Sequence, residues 1–316
     1  DLALYRAKGD GRDRYEAFDE TLRARALHRL EVRRTVRRAV DRHALTVLYQ
    51  PVRRLADHRI VAAETSLHIV GATGRALTAM EFLDVAEDAD LIRELDRRMI
   101  QTVIPDLAAF RRVDPDIQVG VNLGVRTVGD PALSGVLSAD LEACGLPASA
   151  LLVELTERAL VRGSAPILAG VHHLRSAGIK VGIDEFGTGS GSLSALHTLP
   201  LDFLKIDRSF VTDVGSPGRR TAILRAVLGL GRELELNVVA DGVDTAEQLA
   251  VVTRYGCRTA QGAAIGSPMS AERFGDALES QARSQRPPRL RSVPTGSPSW
   301  TRAGDVFSSS GAHALD

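Results

Sequence analysis

Acidic and amide side chains recur in one short β-branched run after another. Glu64 lies in Ile60–Ile69, Asn122 in Ile117–Leu123 and Glu154 in Leu151–Leu155, and Asp184-Glu185 follow Ile179–Ile183 directly. Phe203–Ile206 carries Lys205 and leads into Asp207, Val238–Ala240 leads into Asp241, and Gln261 follows a short run near Thr259. Carboxylates in apolar strands cost free energy unless they are paired or bound to a metal. Several converging on one mouth repel one another without a cation. The oxygen-only set Glu64, Asn122, Glu154 and Asp184 suits Mg²⁺ or Mn²⁺ better than zinc. A lysine among them could orient an attacking water or neutralise a phosphate oxygen. The pattern points to metal-assisted hydrolysis of an anionic substrate. A helix cap or surface ion pair is the competing account of any one carboxylate, but not of the whole series.

Other reactive types carry less. His68 falls near the same end of its run and could meet an anion, whereas His172-His173 sit on a helical stretch away from the strand ends. The glycine-rich stretch after Asp184-Glu185, Phe186-Gly-Thr-Gly-Ser-Gly-Ser192, allows close backbone approach to a ligand. Cys144 and Cys257 lie far apart, outside any Cys-x-x-Cys, which excludes a disulfide scaffold or cysteine zinc site and fits a reducing, cytoplasmic compartment.

The elements that must position these groups alternate. Besides the runs above, Val47–Tyr49 reads as a strand, and Ala79–Glu87, Glu94–Arg112, Pro131–Cys144, Ala165–Ala177, Arg219–Leu234 and Ala246–Tyr255 read as helices. Eight strands alternating with helices over roughly 240 residues predict an α/β fold, a (β/α)₈ barrel whose active site lies at the strand C-termini. A doubly wound open sheet is the rival, and it lacks a glycine fingerprint after the first strand. Residues 45–282 form this domain. Residues 19–44, with a ragged stripe of Leu22, Leu27, Leu30, Val36 and Val40, read as a helical linker, and 283–316, rich in Pro, Ser, Gly and Arg, as a disordered tail.

Composition narrows the function classes. The chain has 316 residues, with 40 Lys plus Arg against 40 Asp plus Glu and only 4% aromatics, which argues against a general nucleic-acid binder. The cluster Arg33, Arg34, Arg37, Arg38 is either a nucleic-acid or membrane patch or a solvated helix face. No apolar run is long enough to span a bilayer. Because residue 1 is Asp rather than Met, the natural N-terminus is expected upstream, where a membrane anchor is an open alternative.

From about Leu45 to Glu279 the chain resembles the EAL family of cyclic-di-GMP phosphodiesterases. The resemblance rests on Tyr49-Gln-Pro51, Val121-Asn-Leu123, Glu154-Leu-Thr-Glu157, Phe186-Gly-Thr-Gly189, Leu204-Lys-Ile-Asp-Arg-Ser-Phe-Val211 and Gln261-Gly262. Residues 1–18, with Ala-Leu-Tyr-Arg-Ala-Lys and Gly-Arg-Asp-Arg-Tyr, resemble the C-terminal end of a GGDEF (diguanylate cyclase) domain. The resemblance implies a TIM-like barrel with an antiparallel first strand, two divalent metals and hydrolysis of cyclic di-GMP to pGpG. It implies Glu64, Asn122, Glu154 and Asp184 as metal ligands, with Glu185 and Asp207 in the cluster. It further implies Lys205 as the residue positioning the water, and Gln50, His68 and Gln261 as ligand contacts. Glu157 would support the loop after the fifth strand. A homodimer and upstream GGDEF or sensor domains are the partners it suggests, with no nucleic acid.

Several positions depart from the family pattern. Glu64-Thr65-Ser66 stands for Glu-Ala-Leu, His68 for a phosphate-holding Arg, Asp184-Glu185 for Asp-Asp, and Asp241-Gly-Val-Asp244 for Glu-Gly-Val-Glu, whose first acid is the proposed general base. Ala263 stands for an aromatic, and Ser190-Gly191-Ser192 for an aromatic-Ser-Ser loop. A Glu-to-Asp exchange retracts a carboxylate by on the order of 1 Å, and a misplacement of that size can cost about 10²-fold in rate. Histidine replaces a permanently charged fork with a pH-dependent contact. Two readings follow: a phosphodiesterase with weakened activity, or a degenerate domain acting as a cyclic-di-GMP receptor or protein-interaction module.

Overall fold

The computed structural model describes residues 20–42, 44–70, 76–77, 79–88, 91–157, 165–189, 196–212 and 218–285. The GGDEF-like stretch 1–18, the Ser190-Gly191-Ser192 loop and nearly all of the 283–316 tail lie outside them.

Among the described residues nine strands form one sheet: β1 Leu45–Arg54, β2 Ile60–Val70, β3 Ala76–Leu77, β4 Gln118–Asn122, β5 Leu151–Thr156, β6 Lys180–Phe186, β7 Phe203–Ile206, β8 Asn237–Ala240 and β9 Thr259–Ala260. They are ordered β1-β9-β8-β7-β6-β5-β4-β2-β3, and β1 also pairs with β2, which closes eight of them into a barrel with β3 outside it. From β4 to β9 neighbours pair in parallel, whereas β1 is antiparallel to both β2 and β9. The expected barrel with its reversed first strand is therefore what the chain adopts. The runs β4 to β7 are largely buried on both faces, as parallel strands wrapped by helices must be.

The surrounding helices are α1 Glu20–Asp41, α2 Ala79–Asp88, α3 Ile92–Val113, α4 Val125–Val128, α5 Leu133–Ala143, α6 Ala165–Ser176, α7 Arg219–Glu233, α8 Ala246–Arg254 and α9 Ala271–Gln285. In α3 the stripe Met99, Ile100, Val103, Ile104, Leu107 and Phe110 is buried in the barrel core, while Ile92 and Leu95 at its start are buried in a smaller second core. Among the described residues no helix is long and apolar enough to cross a membrane.

Sequence periodicity did not reveal β3, the single turn α4, or α9. In α9 two large apolar anchors, Phe274 and Leu278, are buried among charged residues, too few to stand out as a stripe. The helix in 19–44 does more than link. Val32, Val36, Ala39 and Val40 are buried in that second core with Ile69, Leu77, Phe82, Leu91 and Leu95. The first half of its predicted stripe does not follow: Leu27 and Leu30 are about half exposed, at 57% and 48%. Arg33, Arg34, Arg37 and Arg38 face solvent and, with Leu30 and Leu91, line a surface groove.

Candidate active site

The barrel brings the acidic strand residues to one mouth because side chains two apart share a face. In β1 and β2, Gln50 is the cross-strand partner of Glu64, and the next pairs along the parallel strands are Glu64 with Gly120 and Asn122 with Glu154. Alternation sends Tyr49 outward. Its hydroxyl donates to Asp106 at 2.6 Å and its ring packs edge-on against Phe110, while Gln50 faces in.

At the centre stands Lys205 of β7, buried at 3% exposure. Its ammonium lies 2.7 Å from Glu64 Oε2, 3.0 Å from Glu154 Oε2 and 3.5 Å from Asp184 Oδ1. Asn122 Nδ2 donates to Glu64 Oε1 at 2.9 Å. Gln261 Nε2 donates to Glu64 Oε2 and, at 3.0 Å, to Gln50 Oε1. Gln50 in turn donates from Nε2 to the Gly266 carbonyl at 3.1 Å, so its amide already has protein partners. Gln261 Oε1 and Ser66 Oγ are buried with no hydrogen-bond partner among the described residues.

Burial alone would push the Glu64 carboxyl up, but the Lys205 charge and the hydrogen bonds from Lys205, Gln261 and Asn122 outweigh it and hold the group below its ordinary value. Glu154 is raised to about 8. Burial is the largest cause, Lys205 opposes it, and the like charges of Glu64 and Asp184 add to it. Burial would lower Lys205, yet Glu154, Glu64, Asp184 and Asp241 together hold it well above the ordinary lysine value. Asp241, just past β8, is raised to about 6 by burial, with Lys205 opposing and Glu64 and Asp184 reinforcing. The mouth is thus a buried cluster of acids, some pushed toward their neutral form, around the Lys205 cation.

Glu64, Glu154 and Asp184 offer carboxylate oxygens that lie within 4.8 Å of one another. Three hard oxygen donors at that spacing, with an orphaned amide oxygen of Gln261 beside Glu64, fit a hard divalent cation. Two expected members stand apart from this trio. Glu185 is solvent-exposed, because neighbours on a strand point to opposite sides and its own backbone turns left-handed at φ 55°. Asp207 Oδ1 accepts from the Ser209 N–H at 2.9 Å and so caps the short turn after β7. His68 is half-buried, in register with Thr46 and two residues beyond Ser66 on the Glu64 face of β2. Glu157 is fully buried, and its Oε2 accepts from the Gly187 and Gly189 N–H groups at 2.9 and 3.1 Å, which fixes the loop after β6.

Other positions shape the mouth without having been singled out by type and spacing. A Cβ at Gly120 would strike the Glu154 carboxylate, so the glycine of Val-Gly-Val-Asn makes room for it. Asp96, buried in α3, accepts from the Gly124 N–H at 2.9 Å and from Thr127 Oγ1 at 2.5 Å, pinning the segment that follows Asn122. An acid inside an apolar helical stripe was the signal that could have found it. Thr65, where the pattern has Ala, donates to the Gly120 carbonyl at 2.8 Å and ties β2 to β4.

The family profile described as "EAL domain" matches residues 33–268. An uncharacterized signaling protein of Caulobacter vibrioides is 37% identical over 268 residues, covering 85% of this chain and 33% of that protein. Cyclic di-GMP phosphodiesterase NbdA of Pseudomonas aeruginosa is 32% identical over 293 residues, covering 92% of this chain and 37% of that protein. The chain therefore spans about a third of the length of the curated relatives it matches. Among solved structures, the Pseudomonas aeruginosa MucR phosphodiesterase in complex with c-di-GMP superposes with a TM-score of 0.72 at 30% identity, covering 77% of this chain and 99% of that one. Barrel topology, the motifs at the strand ends and the match over 33–268 agree: the chain belongs to the EAL-domain family.

Proposed function

We propose that this domain is a Mg²⁺- or Mn²⁺-dependent phosphodiesterase that opens cyclic di-GMP to pGpG. The observation that carries the reading is the Lys205 ammonium held by Glu64, Glu154 and Asp184, which come from three different strands. Glu64, Asn122, Glu154 and Asp184 would hold the divalent cations. Bound there, the cations would supply Lewis-acid charge to a phosphate oxygen and acidity to a water. Lys205 aims a lone pair of that water at phosphorus by donating a hydrogen bond to its oxygen. Asp241 takes the water proton, the P–O3′ bond breaks, and the departing oxygen is protonated from solvent, so one water is added overall. His68 faces the incoming phosphate, and Glu157 keeps the loop after β6 in place.

Two observations favour a receptor reading instead. Glu185 points to solvent, and Asp241 is one methylene shorter than the family's acid, so a second cation and the base are both less well served. Incubation with cyclic di-GMP and Mn²⁺, followed by chromatography, decides between them. pGpG from the parent and none from Glu154→Ala supports hydrolysis. Saturable binding without product supports the receptor.

A further inference from the structure

At the opposite end of the barrel from the carboxylates, α7 and α8 end just before β8 and β9 begin. A cleft of about 550 Å³ opens between the two helices, lined by Arg225, Arg232, Arg254 and Tyr255 together with Ala222 and Ala226. The guanidinium carbons of Arg225 and Arg254 each lie 5.7 Å from the centre of the half-buried Tyr255 ring. Arg232 reaches across the seam: its two terminal nitrogens lie 3.7 Å from where a Cβ would stand on Gly229 of α7 and on Gly256 after α8. Two guanidiniums therefore flank one aromatic ring, and a third lines the same cleft.

No hydrogen bond or ion pair to a described residue engages any of the three guanidiniums. This is not for want of acids, since the chain has 40 Asp plus Glu for 40 Lys plus Arg. Elsewhere Arg54, Arg59, Arg175 and Arg208 each have a carboxylate within 4 Å. Asp202, on an adjoining cleft that Arg232 also borders, is committed to Arg175 at 2.8 Å. Helix C-termini attract cations, which accounts for Arg232 and Arg254 in the last turns of their helices but not for Arg225 in the middle of α7. Concentrated like charge with unused donors is stabilised by a bound anion, and guanidinium forks match phosphate oxygens in pairs. The aromatic ring and the flat guanidinium faces also offer stacking surfaces for a base. The cleft is of ligand size, larger than a bare phosphate needs.

We propose that the α7–α8 cleft binds a nucleoside phosphate, its phosphate on Arg232 and Arg254 and its base stacked against Tyr255 and Arg225. The site is separate from the strand-end carboxylates and does not depend on the phosphodiesterase reading. The test is equilibrium binding of GMP and AMP, with guanosine and inorganic phosphate as partial probes, in metal-free buffer. The parent and Glu154→Ala should bind at least one nucleotide alike, while Arg232→Gln/Arg254→Gln should weaken it by about tenfold or more. Guanosine and phosphate should each bind more weakly than the nucleotide. Arg254→Lys, which keeps the charge but loses the fork, guards against misfolding and should fall between. Millimolar GMP and AMP both failing to bind the parent would overturn the proposal. So would equal affinity in parent and double variant, or loss of binding in Glu154→Ala alone. A changed oligomeric mass in the double variant with no nucleotide effect would assign the cluster to an interface between copies, and that also overturns it.

Discussion

Lys205 compensates a group of carboxylates that would otherwise repel one another out of water. The Glu64 carboxyl, held below its ordinary value, lies 2.7 Å from the buried Lys205 ammonium. Removing one partner of such a pair leaves an uncompensated buried charge, at a cost of about 3–5 kcal/mol. Lys205→Met should therefore lower the melting temperature of the metal-free protein markedly, and saturating Mn²⁺ should restore much of it, since the cation replaces the lost charge. A Lys205→Met protein as stable as the parent without metal would show that the carboxylates do not rely on the lysine. Glu185 gives a second prediction at this scale. It holds a left-handed φ of 55°, which costs a side chain about 1–2 kcal/mol, and Asp tolerates that region better than Glu. Glu185→Asp, the family's usual residue, should stabilise the fold by about 0.5 kcal/mol in denaturant titration. A loss of stability would mean that the longer chain makes a contact worth more than the strain. The acids and the lysine were legible because a charged residue in an apolar run needs a reason. The separation of Glu185 from Asp184 was not, because a pair of adjacent acids reads as one feature until strand alternation and the left-handed turn part them.

At the scale of elements, the mouth depends on β4 and on the helix packed behind it. Gly120 leaves space for the Glu154 carboxylate from the neighbouring strand. Gly120→Ala should cost about 1–3 kcal/mol by overpacking and, by turning Glu154 aside, should abolish the rise in melting temperature that Mn²⁺ gives the parent. A variant that keeps the full metal response would place the carboxylate elsewhere. Strand positions were readable from β-branched runs: β4, β5, β7 and β8 fall within a residue of expectation, while β6 runs three residues further, through Asp184-Glu185 to Phe186. The hydrogen bonds that lock those strands to their surroundings, Asp96 to the Gly124 N–H and Glu157 to the Gly187 and Gly189 N–H groups, join distant parts of the chain. Local pattern has no access to such partners. In the same way α9 escaped notice, because its two anchors are buried only by the closed barrel.

For the whole molecule, α1 belongs to the barrel's body. Val32, Val36 and Val40 are each at most 2% exposed against Phe82, Leu91 and Leu95, and burying a valine is worth about 1.5 kcal/mol or more. A chain begun after Asp41 should lose several kcal/mol and expose an apolar patch, seen as a lower midpoint in urea and as self-association. An unchanged midpoint would return α1 to the status of a spacer. Whether a helix of mixed composition packs or merely connects was settled only by the core it completes.

The most direct measurement is the initial rate of pGpG formation from cyclic di-GMP at increasing Mn²⁺, for the parent and for Lys205→Ala. The account predicts a rate that is negligible without metal and saturates with it. For Lys205→Ala it predicts a turnover lower by about 10²-fold or more, with the Michaelis constant changed far less, because the lysine orients the water rather than holding the substrate. Metal-independent hydrolysis, or an undiminished turnover in Lys205→Ala, would contradict it.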